Sequence, residues 1–199
     1  MKTIPVLYTL EKSIYNEIPE ADPWNQQRDA LKWPGGTPCI AHPPCRLWSV
    51  LQHLSTADPE ERYLALIAAC QVRRHGGILE HPAYSTLWTA AQLPPPNGFP
   101  DEYGGYTIEI DQVKAGHKAR KRTWLYIVGT HELPPLPTPE SRPTHVLDNG
   151  KSARRRAKNQ HKPRLKRLLG KHARSATPKE FAQWLISIAQ SIPTKGANP

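Results

Sequence analysis

The sequence predicts an α/β fold with a mostly parallel sheet and flanking helices. Residues 39–41 and 78–80 are short runs typical of buried strands, apolar except for Glu80, and a helical pattern lies between them. Parallel strands need a crossover connection of this kind. A second helical pattern, near the C-terminus, carries an apolar stripe that needs a core to pack against. A chain of 199 residues is long enough for one compact domain with an extension.

The first part of the chain predicts short elements. Residues 4–8 are mostly apolar and predict a first strand. Residues 21–25 contain Asp22-Pro23 and predict a turn, and residues 26–31 predict a short helix that stops before Pro34-Gly35-Gly36.

The clearest helix start lies at Asp58. This residue can cap a helix, Pro59 suits the first helical position, and Glu61 completes an arrangement similar to a capping box. The glycine pair at 76–77 predicts the end of the helix. The apolar face that the spacing predicts contains Tyr63, Leu66, Ile67 and Cys70.

The rest of the chain predicts a short helix at 85–91, strands at 106–110 and 123–128, and a proline-rich extended connection at 133–143. Thr177-Pro178-Lys179-Glu180 repeats the pattern of a cap, a proline and an acid, which predicts a final helix. Its apolar stripe contains Phe181, Trp184, Leu185, Ile188 and Ile192. We therefore expect a core at 1–148, a basic insertion at 149–174, and a C-terminal segment at 175–199 that returns to the core.

Almost all the excess positive charge lies in the basic insertion. The chain has a net charge of +10, and residues 151–174 hold eleven of the 27 Lys and Arg residues and no acid. The rest of the chain contains the other 16 basic residues and all 17 acidic ones, so it is nearly neutral. This distribution favours a polyanion partner, most plausibly nucleic acid bound through its phosphates, although a solvated tail has the same composition. The predicted phosphate contacts are Lys151, Arg154, Arg155, Arg156, Lys158, Lys162 next to Pro163, Arg164, Lys166 and Arg167.

The composition also bears on the expected cellular location of the protein. Three cysteines do not form a disulfide framework, and no apolar stretch approaches the length of a membrane span. The N-terminal residues do not have the pattern of a signal peptide. We expect a cytoplasmic protein without a membrane partner; the sequence does not indicate its oligomeric state.

Two motifs carry the chemistry. Residues 40–45 read Ile-Ala-His-Pro-Pro-Cys and residues 78–82 read Ile-Leu-Glu-His-Pro, so a thiol, Cys45, and a carboxylate, Glu80, each follow a predicted parallel strand. Carboxyl ends of parallel strands share one edge of a sheet, where ligands bind. A thiolate can attack C6 of a pyrimidine while Glu80 assists at N3 and cations, Arg122 and Arg120, stabilise O2.

Other interpretations of these residues remain open. Cys45 also fits an ordinary buried cysteine, and Glu80 also fits a helix cap or a structural ion pair. Asp111 and Gln112 are further residues that could contact a base or ribose. Tryptophans that could stack on bases or lie in the core are Trp24, Trp33 and Trp48. A zinc set of Cys39, His42, Cys45 and His53 lacks the paired Cys-x-x-Cys spacing, so we expect no metal.

Four segments in order resemble motifs of the C5 cytosine DNA methyltransferase family, especially its short phage-type members. They are Ala41-His42-Pro43-Pro44-Cys45, Leu79-Glu80-His81-Pro82, Gly116-His117-Lys118-Ala119-Arg120-Lys121-Arg122-Thr123-Trp124-Leu125, and Arg174-Ser175-Ala176-Thr177 with the helix after it. The resemblance implies a reduced Rossmann-like, methyltransferase-type sheet, a Cys45 nucleophile and a flipped target base. It also places the basic insertion where the family has its target-recognition region.

Two departures limit what the resemblance implies. His81 stands where the family usually has Asn. The glycine-rich turn that approaches S-adenosylmethionine after the first strand is absent, because residues 9–15 contain no glycine and the first glycine is Gly35. The expected activity is cytosine C5 methylation, with S-adenosylmethionine as a possible cofactor. The alternatives are another pyrimidine modification on the same adduct, or a DNA-binding protein without catalysis.

Overall fold

A computed structural model describes residues 3–147, 166–168 and 176–194. Its centre is a six-stranded mixed sheet in the order β2-β1-β3-β4-β6-β5. The strands are β1 (Ile4–Thr9), β2 (Ala21–Asn25), β3 (Cys39–Ala41), β4 (Gly77–Pro82), β5 (Tyr106–Asp111) and β6 (Arg122–Val128). The described α-helices are α1 (Glu61–His75), α2 (Leu87–Ala90) and α3 (Lys179–Ser191). Short 3₁₀ turns are η1 (Ile14–Glu17), η2 (Ala30–Lys32), η3 (Gln52–Leu54) and η4 (Gln112–Ala115).

The sheet is mostly parallel, as the sequence predicts, and the arrangement is consistent with a Rossmann-like fold. β1 pairs in parallel with β2 and β3, and β3 pairs in parallel with β4, with α1 as the crossover. Only β6 of this sheet runs the other way, between β4 and β5.

The reversed strand brings its first residues to the carboxyl ends of its neighbours. Pro82 at the end of β4 pairs with Thr123, and Asp111 at the end of β5 pairs with Arg122. The carboxyl ends of β1, β3, β4 and β5 therefore meet the start of β6 at one edge, which we call the site edge.

The two faces of the sheet have different covers. On one side α3 and η1 pack over Ile40, Ile78 and Leu125, and we call this the α3 face. On the other side α1 and α2 pack over residues such as Leu79 and Tyr126, which is the α1 face. The predicted apolar stripe of the last helix is confirmed, since Phe181, Trp184, Leu185, Ile188 and Ile192 are all buried.

The buried face of α1 differs from the expectation. Tyr63, Ile67 and Cys70 are exposed. The residues of α1 that face the sheet are Ala65, Ala68, Ala69 and Val72. Small side chains let the helix approach the sheet closely. The crossover is equally tight at Gly77, where a Cβ would overlap the Cys39 carbonyl oxygen and where φ is +124°.

Two short segments also differ. Residues 21–25 form the edge strand β2 instead of a turn, because Pro23 is tolerated where the strand pairs on one side only. Residues 26–28 form a turn, and the predicted helix is reduced to η2 at Ala30–Lys32.

A separate two-stranded sheet pairs β7 (His145–Leu147) in parallel with β8 (Lys166–Leu168). The sequence of the basic insertion does not predict β8, which depends on pairing with a strand about twenty positions earlier. The rest of residues 149–174 lies outside the described residues. In the described part of the chain, no helix has both the length and the apolar composition needed to cross a bilayer.

Candidate functional site

The structure brings Cys45 and Glu80 to the site edge. Glu80 lies in β4 on the α3 face, and its side chain is 13% exposed. Cys45 follows β3 after two prolines and is partly buried. Its carbonyl accepts hydrogen bonds from the backbone N–H groups of Trp48 (3.0 Å) and Ser49 (2.8 Å), so the thiol stands at the start of a tight turn.

The Glu80 carboxylate has a partner on each oxygen. His42 Nδ1 lies 3.1 Å from Oε2, and Gln112 Nε2 donates to Oε1 at 3.1 Å. Burial alone would raise the pKa of Glu80, but the hydrogen bond with His42 and the positive charge of Lys121 outweigh burial and lower the pKa to about 2. Glu80 is therefore a carboxylate at neutral pH.

His42 links Glu80 to a buried phenol. Its backbone N–H continues the pairing of β3 with β1 by donating to the Leu7 carbonyl at 3.1 Å, which fixes the start of the loop. Its Nε2 lies 2.8 Å from the hydroxyl of Tyr15, which is 1% exposed in η1. Burial and the charge of Glu80 raise the pKa of Tyr15, so the phenol keeps its proton. The hydrogen bonds from Tyr15 through His42 to Glu80 thus link η1, the loop after β3, and β4.

Gln112 closes the site from the side of β5. It is fully buried in η4, and its Nε2 also donates to Thr123 Oγ1 at 2.9 Å. Its Oε1 has no hydrogen-bond partner among the described residues. The buried amide therefore offers an acceptor next to Glu80, and a contact of Gln112 with a base or ribose stays a prediction.

Lys121 carries a positive charge that acts on both Glu80 and Cys45, and Arg46 adds a charge that acts on Cys45. Strand alternation places Lys121 on the same side as Thr123, which bonds Gln112 on the α3 face. The charge of Lys121 lowers the pKa of both Glu80 and Cys45. Burial and the charge of Glu80 are stronger in the second case and leave the pKa of Cys45 raised, so the resting side chain is a thiol.

The two arginines predicted to contact the base have other partners in this structure. Arg122 lies on the α1 face, where its Nε donates to Glu109 at 2.6 Å and its guanidinium stands 4.8 Å from the centre of the Tyr84 ring. Arg120 donates to Asp111 at 2.9 Å and is largely exposed. Their contact with a base stays a prediction.

His81, which stands where the resemblance implies Asn, points to the α1 face. Its Nδ1 lies 2.7 Å from Ser85 Oγ, which also reaches the Trp48 carbonyl at 3.3 Å. Thr86 adds a backbone hydrogen bond to the same carbonyl at 2.9 Å. Burial lowers the pKa of His81 to about 4, so the imidazole is neutral at pH 7. His81 thus ties the loop after β4 to the loop that carries Cys45.

Several other predicted residues lie away from this cluster. Cys39 is fully buried in β3, and no group of three His, Cys, Asp or Glu residues able to hold a metal ion occurs in the described residues. Trp33 and Trp48 lie in the core, and Trp24 is partly buried with Arg28 stacked 4.0 Å from its ring centre. Lys166 and Arg167 belong to β8. Outside the described residues are Lys151, Arg154, Arg155, Arg156, Lys158, Lys162 and Arg164.

The connection between β1 and β2 does not fit S-adenosylmethionine in the way that the resemblance implies. It contains no glycine, and it places the buried ring of Tyr15 against the α3-face core, bonded to His42. Tyr15, a side chain of the site, thus lies in the connection where the resemblance implies a glycine-rich turn.

Sequence reasoning missed the roles of Tyr15, His42 and Lys121. His42 was considered only as a zinc ligand, although its position at the end of β3 already placed it beside the carboxyl end of β4. Lys121 could have been found by counting two residues back from the buried Thr123. The sequence contains no local signal for Tyr15.

Comparison of the chain with protein-family models, curated proteins and solved structures finds no match.

Proposed function

We propose that the protein modifies a pyrimidine base in DNA through a covalent bond between Cys45 Sγ and C6 of the base. The observation that carries this proposal is the joint position of a thiol and a buried carboxylate at one sheet edge, with the charge of Lys121 acting on both. A strand-end cluster of this kind is where α/β sheets bind ligands.

The chemistry follows from the groups present. The Cys45 thiol loses its proton to solvent water and its sulfur forms a bond with C6. The electron pair of the C5–C6 double bond moves into the ring, where a proton at N3 and a cation near O2 stabilise it. In this proposal Glu80 serves N3, Lys121 is the cation near O2, and C5 becomes the nucleophile for a modifying group.

The scaffold supports the methyltransferase-type interpretation. The sheet is mostly parallel with helices on both faces, and β6 runs in the opposite direction between β4 and β5. The two motifs that resemble the nucleophile and acid motifs of the family meet at one edge of this sheet. The family's arginine motif corresponds to the entry of β6, next to both.

The connection between β1 and β2 favours a second candidate, a pyrimidine modification other than methylation on the same Cys45 adduct. Tyr15 occupies the connection where a glycine-rich turn would approach the cofactor. The adduct activates C5 toward any electrophile, so loss of the cradle changes the donor without changing the first step.

DNA is the proposed partner because the excess charge is confined to one segment. Residues 151–174 would bind phosphates, and the base would leave the duplex to reach Cys45. The segment holds no aromatic residue, so we propose low sequence specificity.

The test uses a reaction that needs no donor. Reversible attack at C6 makes C5 basic, so DNA cytosine should exchange its C5 hydrogen for deuterium in D₂O when incubated with the protein. Mass spectrometry of the digested nucleosides measures the exchange. Cys45→Ala should abolish it and still bind DNA, and Cys70→Ala, which removes an exposed cysteine of α1, should leave it unchanged.

Two outcomes would contradict the covalent mechanism. Exchange by Cys45→Ala at the wild-type rate would exclude this thiol as the nucleophile. Salt-dependent DNA binding by the wild type without any exchange would favour the DNA-binding alternative. Comparing the nucleoside masses in DNA from cells that express wild-type or Cys45→Ala protein identifies the added group.

A further inference from the structure

We propose that His42, oriented by Tyr15, supplies Glu80 with the proton that N3 of cytosine takes up when Cys45 attacks C6. This inference deepens the proposed function and rests on it. His42 is thereby a proton donor for the acid, and Tyr15 is a positioning residue.

The geometry gives His42 one contact on each ring nitrogen. Nδ1 faces Glu80 Oε2 at 3.1 Å, and Nε2 faces the Tyr15 hydroxyl at 2.8 Å. The His42 and Tyr15 rings lie 5.3 Å apart, centre to centre. An imidazole can carry hydrogen on both nitrogens, and each N–H then has an acceptor in this arrangement. When Nδ1 gives its hydrogen to Glu80, the remaining Nε2–H still donates to Tyr15.

Glu80 needs such a donor. Its hydrogen bonds and the charge of Lys121 hold its pKa near 2, so the resting carboxylate has no proton to give to N3. If N3 of the base must be protonated, another group has to transfer a proton to Glu80 during the reaction.

The other groups around Glu80 do not replace His42 in this role. Gln112 has an amide that does not titrate, and it already donates to Oε1. His81 lies on the α1 face with its Nδ1 at Ser85. Tyr15 has a raised pKa and touches His42, and Cys45 is the nucleophile. Lys121 is the remaining charged group that acts on Glu80, and its Nζ lies 3.4 Å from the Ala176 carbonyl oxygen.

The step balances. The Cys45 thiol proton goes to water, the S–C6 bond forms, N3 takes a proton from Glu80, and Glu80 takes one from His42 Nδ1. Elimination reverses each transfer. Because cytosine has no hydrogen on N3 whereas uracil and thymine already carry one, this device suits cytosine as the target base.

The experiment compares C5 deuterium exchange by wild type and His42→Asn in duplex DNA between pH 5 and pH 8. Asn keeps a donor toward Glu80 but cannot give up a proton. Without His42 the proton on Glu80 must come from solvent, which becomes scarcer as pH rises. We expect the ratio of wild-type to variant rates to grow roughly tenfold per pH unit on the acid side and to level off at about 10²–10⁴.

Tyr15→Phe is the second variant. We expect a smaller decrease in the rate of C5 deuterium exchange, with the same pH trend, because His42 loses its Nε2 partner. If His42→Asn fails to fold, as shown by circular dichroism, Tyr15→Phe decides the matter alone. His131→Asn, an exposed histidine beyond the other end of β6, and Tyr63→Phe, on the exposed side of α1, are the matched controls and should not change the rate.

A merely structural role for His42 predicts a ratio that stays constant with pH. That result, in a wild-type protein that does exchange deuterium, would overturn the relay and leave the Cys45 mechanism intact. Absence of exchange in the wild type would instead remove the proposed function and the relay together.

Discussion

Two glutamates lie at or near the site edge on opposite faces of the sheet, and their surroundings differ. Glu80 is enclosed on the α3 face with His42 and Gln112 as partners. Glu109 is exposed on the α1 face, where it accepts from Arg122 at 2.6 Å and from Trp124 Nε1 at 2.9 Å. Each carboxylate has two partners, and the pKa of each is lowered despite some desolvation.

The difference between them is access to water. Solvent around Glu109 screens its ion pair and can replace a lost partner. The side chains of Glu80 and His42 are only 13% and 14% exposed and Gln112 is fully buried, so water replaces a lost hydrogen bond in that cluster poorly. A carboxylate at this edge is therefore largely withdrawn from solvent on the α3 face and more exposed on the α1 face.

Removing each carboxylate tests this contrast most strongly. Glu80→Ala removes the acceptor of His42 Nδ1 and one of the two acceptors of Gln112 Nε2, and we expect a loss of about 3 kcal/mol in the free energy of unfolding. Glu109→Ala should cost much less, because its partners turn to solvent. Urea unfolding at pH 7 measures both, and equal losses would show that the α3 face is open to water.

Acid unfolding gives a second, smaller contrast. The pKa of Glu80 is about 2 in the folded protein and 4.5 without its surroundings, so its carboxylate stabilises the fold above pH 4.5 and this stabilisation is lost as pH falls toward 2. Glu80→Gln should flatten the fall in stability over that window. Glu109→Gln should change it far less, because its lowered pKa arises in solvent-screened contacts. An unchanged slope in Glu80→Gln would mean that the carboxylate is not paired as described.

The sheet and its final helix could be predicted from the sequence because their patterns are local. Alternation or short apolar runs gave β1, β4 and β6, and the helical period gave the stripe of α3. α1 shows where a period is not enough: Tyr63, Ile67 and Cys70 fit one helical face, and Ala65, Ala69 and Val72 fit another. The close approach of the helix to the sheet selects the small residues, and only tertiary structure shows that approach.

The site was predictable to the extent that it depends on strand ends. Cys45 follows β3 and Glu80 lies near the carboxyl end of β4, so the βαβ pattern already predicted that they meet. Tyr15 reaches His42 across 27 positions because η1 folds over the α3 face, and no periodicity in the sequence encodes that contact. Whether Lys121 or Arg122 lies on the same face as Glu80 depends on the register of β6, because a shift of one residue exchanges the two faces.

The smallest effect is expected when the charges of Lys121 and Arg122 are removed in turn. Lys121→Gln removes the charge that lowers the pKa of Glu80 and Cys45, and we expect C5 deuterium exchange at saturating DNA to fall about tenfold, a barrier change of about 1.4 kcal/mol. Arg122→Gln should stay within about twofold, because its side chain pairs with Glu109 on the α1 face. Saturating DNA separates this effect from weaker phosphate binding. A larger loss for Arg122→Gln would support the arginine that the sequence predicts, and would require the start of β6 to shift by one residue when DNA is bound.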